Sequence, residues 1–105
     1  MTTRKQDEAL TVFYREAFEE GTLWITYDFL RREGGWTAHE FAERIERGMR
    51  DGEFGLYVYG PNDEFIDVPF DPNRKDIDDY WKTLNFSPND KTTELYNVYY
   101  ERTRS

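Results

Sequence analysis

The densest group of side chains able to do chemistry is acidic. Carboxylates can bind divalent cations, act in acid–base catalysis or hold the basic groups of a partner. Residues 63–79, here called the acidic segment, contain only two bases, Arg74 and Lys75. Its seven acids are Asp63, Glu64, Asp67, Asp71, Asp76, Asp78 and Asp79.

A calcium site is the first chemistry to consider for the acidic segment. Asp71 and Asn73 have the spacing of the first and third ligands of a calcium loop. However, Lys75 and Asp76 stand where that loop requires an oxygen ligand and a glycine. The pattern therefore favours a solvated acidic turn over a metal site.

The residues typical of enzyme active sites are scarce. His39 is the only histidine and there is no cysteine, which excludes the two-histidine zinc helix, thiolate metal sites and cysteine nucleophiles. The chain has no glycine-rich phosphate loop and no GxSxG motif. His39 falls in the first turn of a predicted helix, where an exposed polar residue is ordinary. We therefore expect a non-enzymatic protein with no catalytic residues, metal or cofactor; an Asp/Glu-based metal-dependent enzyme is the weakest alternative.

The overall charge restricts the partners. The chain has 22 acids and 14 bases, a formal net charge of −8, so it should repel nucleic acid and anionic membranes. No apolar run approaches the roughly 20 residues of a membrane span, and the N-terminus is polar. We expect a cytoplasmic protein whose partner is a protein with a basic surface, without direct nucleic-acid or membrane binding.

Aromatic residues indicate that this acidic chain folds. They make up 18% of the 105 residues, and their burial can stabilise a core without disulfides. The length fits a single domain over residues 1–105.

Three helices are predicted in the first half. One stripe with helical spacing lies between a Thr3 cap and a Gly21 stop and consists of Leu10, Phe13, Tyr14, Ala17 and Phe18. Thr37 and Glu40 have the spacing of a capping box, which predicts a helix start. Residues 22–30 fit a strand or a helix, and a short helix ending at Gly34 and Gly35 is favoured.

The second half is predicted to build the sheet. Two strand-like runs, with a turn at residues 60–63, predict a hairpin over 54–70. Apolar spacing predicts a short helix over 77–84, and alternation over 93–102 predicts a C-terminal strand. The predicted fold is α+β: a small antiparallel sheet, formed by the hairpin and the C-terminal strand, with three to four helices packed against one face.

The two faces of the hairpin differ in character. Period-two alternation directs one set toward the core: Leu56, Val58, Ile66, Val68 and Phe70. The opposite face then carries Tyr57, Tyr59, Phe65 and Asp67. Either a helix covers this second face or it is a tyrosine-rich surface for a partner.

These observations predict a binding surface that combines aromatic and acidic side chains. It comprises the seven acids of the acidic segment together with Tyr57, Tyr59, Phe65, Tyr80 and Trp81. The expected function is docking on, and inhibition of, a basic and nucleic-acid-binding surface of another protein, by analogy with phage-encoded nucleic-acid mimics such as anti-CRISPR inhibitors. The alternative is a helix–turn–helix-like adaptor, since residues 23–50 fit helix, turn, helix. Partner identity and oligomeric state stay open.

Overall fold

The structure, a computed structural model, describes residues 4–74 and 79–104. Its elements are α1 (Arg4–Phe18), α2 (Leu23–Gly34), α3 (Ala38–Arg50), β1 (Gly55–Tyr59), β2 (Phe65–Asp67), a 3-10 turn (Trp81–Thr83), β3 (Asn85–Ser87) and α4 (Asp90–Arg104). The predicted α+β fold with a small antiparallel sheet is confirmed.

Helices α2 and α3 begin and end where their capping residues predict, whereas α1 ends at Phe18, before the predicted stop at Gly21. The ambiguous segment is helical: the Thr22 hydroxyl accepts a hydrogen bond from the Ile25 amide, and Gly35 adopts the left-handed φ of 71° just after the last turn. The capping box of α3 is complete, because the Thr37 hydroxyl accepts a hydrogen bond from the Glu40 amide at 3.1 Å and the Glu40 carboxylate accepts one from the Thr37 amide at 3.2 Å. The predicted cap Thr3 lies outside the described residues.

The predicted hairpin is present and lies at one side of the sheet. Strand order is β2-β1-β3, with both pairs antiparallel. The Asp63 amide donates to the Gly60 carbonyl at 3.1 Å, and Asp63 itself has a φ of 60°, which aspartate tolerates better than most residues. A tight turn followed by one left-handed residue is a common way to connect two antiparallel strands.

The predicted C-terminal strand over 93–102 is wrong, because this segment forms α4. The Asn89 side chain accepts hydrogen bonds from the Lys91 and Thr92 amides, and the Thr92 hydroxyl accepts one from the Asn89 amide. This reciprocal cap starts a helix that packs antiparallel to α1, with the Tyr14 and Tyr99 rings stacked 5.4 Å apart. Burial against α1 outweighs the strand propensity of tyrosine and valine.

The third strand is β3, which directly follows the segment predicted as a short helix. The helix predicted over 77–84 is reduced, within the described residues, to the 3-10 turn before β3. Ile77 lies outside the described residues. β3 inserts between β1 and the start of α2, where its Phe86 amide donates to the Gly21 carbonyl at 3.0 Å.

The core lies between the helices and the inner face of the sheet and is largely aromatic. Phe13 is at its centre and contacts the rings of Phe41, Phe54 and Phe86 at centroid distances of 5.9, 5.8 and 5.5 Å. Leu56 is buried as predicted, whereas the prediction for Ile66 is wrong: it is 41% exposed because β2 lies at the margin of the sheet, beyond the packed helices.

Candidate protein-binding surface

Three aromatic rings lie together on the outer face of the hairpin. Tyr59 is directly opposite Phe65 on the neighbouring strand, and their ring centroids are 5.4 Å apart. Tyr57 contacts both, at 5.5 Å from Tyr59 and 4.8 Å from Phe65. We call these three residues the aromatic cluster.

The cluster is anchored at one end and open at the other. Tyr57 is only 4% exposed, whereas Tyr59 and Phe65 are 57% and 65% exposed. No helix of the described residues covers this face, because the rings of Tyr59 and Phe65 are open to solvent. The first of the two alternatives is therefore excluded. A buried ring that supports two exposed rings gives a rigid contact surface with little side-chain entropy to lose on binding.

The two hydroxyl groups of the cluster lie close to each other. The hydroxyl oxygens of Tyr57 and Tyr59 are 3.5 Å apart. This hydrogen bond is the main cause that raises the pKa of Tyr57 far above its ordinary value, followed by burial and by the nearby carboxylate of Glu20. The Tyr57 hydroxyl is therefore uncharged at neutral pH and remains able to donate and accept hydrogen bonds.

Carboxylates border the exposed rings, and the sequence of the hairpin contains no base. Asp67 lies opposite Tyr57 in the strand register and is exposed. Glu64 is exposed in the hairpin turn, where its carboxylate accepts a hydrogen bond from the Asn62 amide at 2.9 Å. Between residues 63 and 73 the sequence has four acids and no base. The charged residues next to the aromatic cluster along the hairpin are thus all acidic.

The rest of the acidic segment is joined to the hairpin through Tyr80. The Tyr80 hydroxyl accepts a hydrogen bond from the Asp71 amide at 2.9 Å, and its ring stacks on Phe70 at 6.0 Å. The Arg74 guanidinium lies over the same ring, 4.1 Å from its centroid. Asp71 and Asp79 are exposed, and Tyr80 is half-buried. The predicted positions Asp76 and Asp78 lie outside the described residues.

Trp81 needs a correction, because it does not reach the surface. Its side chain is 1% exposed, and its ring lies 5.2 Å from those of Tyr27 and Phe41. Trp81 is predicted at the surface because it follows the acidic segment in sequence. Its helical spacing with Leu84 also fits a core residue, and Trp81 packs in the core. Trp81 is therefore not part of the candidate binding surface.

A separate feature, a groove, lies between α1, α3 and α4. This open groove has a volume of about 570 Å³. Its lining is Gln6, Leu10, Trp36, Glu40, Glu43, Arg44, Glu46, Arg47, Arg50 and Tyr99. Sequence reasoning did not find this groove, because the groove depends on α4, a segment predicted as a strand.

The charge at the base of this groove is already paired. Arg44 donates to the Glu53 carboxylate at 3.0 Å, and the Tyr14 hydroxyl donates to the same oxygen at 2.7 Å. Burial lowers the pKa of Arg44 from its ordinary value, which the negative charge of Glu53 partly offsets. This network connects α1, α3 and the start of the sheet, so its first role is structural.

Three further features bear on catalysis, metal binding and membrane insertion. His39 is exposed and lies 3.7 Å from the Glu43 carboxylate on α3. Residues 4–74 and 79–104 contain no group of three or more histidine, aspartate or glutamate side chains placed to hold a metal ion. Within the same residues, no helix has the length and apolar character required to cross a membrane.

Comparison of the chain with protein-family models, with curated proteins and with solved structures found no match.

Proposed function

We propose that this chain is a small acidic, non-enzymatic binding protein that docks on a basic surface of another protein. The observation that carries the proposal is the pair of open rings, Tyr59 and Phe65, surrounded by carboxylates. Exposed apolar rings cost the free protein solvation free energy, and adjacent exposed rings are typical of an interaction surface.

The two kinds of side chain contribute differently to binding. Tyrosine and phenylalanine rings provide contact area and can stack on a guanidinium group. Exposed carboxylates such as Asp67 steer a basic partner and accept charge-assisted hydrogen bonds from it. Together they select arginine-bearing or lysine-bearing surfaces.

The proposal extends to inhibition of a nucleic-acid-binding protein in the cytoplasm. A surface built to hold phosphates has spaced cations, and the carboxylates of the acidic segment can occupy such positions. A protein of net charge −8 would then compete with nucleic acid for the same site without binding nucleic acid itself. This part of the proposal rests on charge and on analogy with known mimics.

Paired captures test the proposal. The immobilised chain and a Tyr59→Ser/Phe65→Ser variant are exposed to a lysate of the source organism at low and moderate salt. A Ile25→Ser/Phe29→Ser variant is the matched control, because it removes two exposed apolar side chains of α2. We expect the wild type and the control to retain a basic protein that the Tyr59→Ser/Phe65→Ser variant does not retain. Added nucleic acid should release this protein from the wild type.

Salt separates this function from the adaptor alternative. A partner held by charge should be captured much less at moderate salt, whereas one held by aromatic burial alone should be insensitive to salt. Equal capture by the wild type and the cluster variant would contradict docking through this face.

A further inference from the structure

The two outer edges of the sheet differ within the described residues. The outer edge of β3 is in use, because Thr22 forms a β-bridge to Asn85 and the Leu23 amide donates to the Leu84 carbonyl at 2.9 Å. On the other side the sheet ends at β2, with no further strand among residues 4–74 and 79–104. β2 is therefore the edge strand.

The hydrogen-bond pattern determines which backbone groups β2 presents at this edge. The Gly60 amide donates to the Glu64 carbonyl at 2.8 Å, and the Val68 amide donates to the Leu56 carbonyl at 3.1 Å. In an antiparallel pair, hydrogen-bonded and non-bonded positions alternate, so the bonded positions of β2 are 64, 66 and 68.

Phe65 and Asp67 consequently occupy non-bonded positions opposite β1. Their backbone N–H and C=O groups point away from β1, toward the free edge. Their side chains share the outer face with the aromatic cluster, because residues two apart in a strand lie on the same side. One edge thus combines outward backbone groups, an exposed ring and a carboxylate.

The edge is accessible over the whole strand. All three residues of β2 are exposed, including Ile66 on the inner face. Pro69 has no N–H to donate, so it limits the length of any further pairing. Such a short edge can pair with about three residues of an added strand, which suits a partner segment better than a large sheet interface.

We infer that the free edge of β2 binds an extended segment of a partner protein with arginine or lysine at alternate positions. This inference rests on the proposed function and names the form of the partner. The segment adds antiparallel to β2 and exchanges backbone hydrogen bonds with Phe65 and Asp67. Its basic side chains opposite these residues then lie over the Phe65 ring and beside the Asp67 carboxylate, on the outer face.

Charge decides between a basic segment and a second copy of this chain. Pairing two β2 edges would bring Glu64 and Asp67 close to their counterparts in the other copy, and each copy has net charge −8. Like charges close together across strands destabilise pairing. A basic segment instead neutralises the same carboxylates.

The test uses three seven-residue peptides of alternating arginine and valine with blocked ends. One is unmodified, one is N-methylated on the arginine amides, and one on the valine amides. In antiparallel pairing, residues opposite Phe65 and Asp67 direct both their side chains to the outer face and their amides to β2. We expect binding of the unmodified and valine-methylated peptides and loss of binding on arginine methylation, measured by NMR titration of the labelled chain.

Amide exchange gives a second readout in the same samples. The Phe65 and Asp67 amides should exchange rapidly in the free chain and be slowed about tenfold or more when peptide is bound. Asp67→Pro removes one outward amide without removing a hydrogen bond to β1, and Asp67→Asn is its control because both remove the charge. We expect Asp67→Pro to weaken peptide binding more than Asp67→Asn does. If Asp67→Pro does not fold, the methylated peptides decide.

The outcomes separate this inference from the proposed function. Equal binding of all three peptides, with shifts at the aromatic cluster but no amide protection, would overturn edge pairing and leave docking on the outer face intact. Absence of binding by every peptide would overturn the inference, while the lysate captures judge the proposed function independently. Protection of the two amides by self-association, without peptide, would show that the occupant is a second copy and would also overturn it.

Discussion

Tyr59 and Phe65 lie directly opposite each other across the hairpin, with ring centroids 5.4 Å apart, and both rings are more than half exposed. In the core of the same protein, the Phe54 and Phe86 rings lie 5.1 Å apart and are buried. The chain therefore has enough aromatic area to fill its core and still exposes a contiguous pair.

This contrast predicts a difference in stability. Phe65→Ser should lower the free energy of unfolding by only about 0.2–1 kcal/mol, because it removes cross-strand contacts of an exposed ring. Phe86→Ala should lower it by about 3–5 kcal/mol, since it leaves a cavity in the core. Chemical denaturation measures both, and equal losses would mean that Phe65 is a core residue.

The capping box predicts the effect of one hydroxyl. Thr37→Ala removes the acceptor for the Glu40 amide and should lower the free energy of unfolding by about 0.5–2 kcal/mol. Thr83→Ala is the control, because it removes an exposed hydroxyl that donates a hydrogen bond to the Tyr80 carbonyl at 2.8 Å but accepts none from a helix amide in the part of the chain that the structure describes. A Thr37→Ala change below a few tenths of a kcal/mol would contradict the capping role.

The network at the base of the groove predicts a larger effect. Among the described residues, Arg44→Met would leave the buried carboxylate of Glu53 with the Tyr14 hydroxyl as its one side-chain donor, and we expect the free energy of unfolding to fall by about 3–5 kcal/mol. Arg47→Met on the exposed face of α3 is the matched control. Unfolding by denaturant compares the two variants, and similar stabilities would show that the ion pair contributes little.

The raised pKa of Tyr57 predicts sensitivity to alkali. Tyrosine in the unfolded chain ionises near pH 10, whereas folded Tyr57 stays neutral to a higher pH. Its contribution to stability is therefore complete below about pH 10 and is lost as the pH rises toward the folded pKa. Tyr57→Phe should reduce this alkaline loss, as followed by unfolding at a series of pH values; identical pH profiles would contradict the assignment.

Local signals were sufficient to predict much of the fold. Thr37 and Glu40 define the start of α3, and residues 60–63 define the turn of the hairpin, because caps and turns depend on neighbouring residues. Alternation along β1 also predicts that Tyr57 and Tyr59 share the outer face.

The errors arise where tertiary packing decides. In α4, the residues packed against the core include Leu95, Tyr96 and Tyr99, whose spacing is helical, but the alternation of β-favouring residues over 93–102 indicated a strand. The Asn89 cap was the local signal that favours the helix. Ile66 is exposed and Trp81 is buried because of where each lies in the folded protein. A local sequence pattern does not give that position.

Binding kinetics test the central claim most directly, with the partner retained in the captures. Surface plasmon resonance compares the wild type with the Tyr59→Ser/Phe65→Ser variant and with a triple variant in which Asp76, Asp78 and Asp79 are replaced by asparagine. We expect the aromatic variant to dissociate about tenfold faster or more, because buried anchors set residence time. The triple variant should associate more slowly at low salt with little change in dissociation, since the loss of three negative charges weakens the electrostatic steering of a basic partner. Wild-type rates for both variants would contradict docking through the aromatic cluster and the acidic segment.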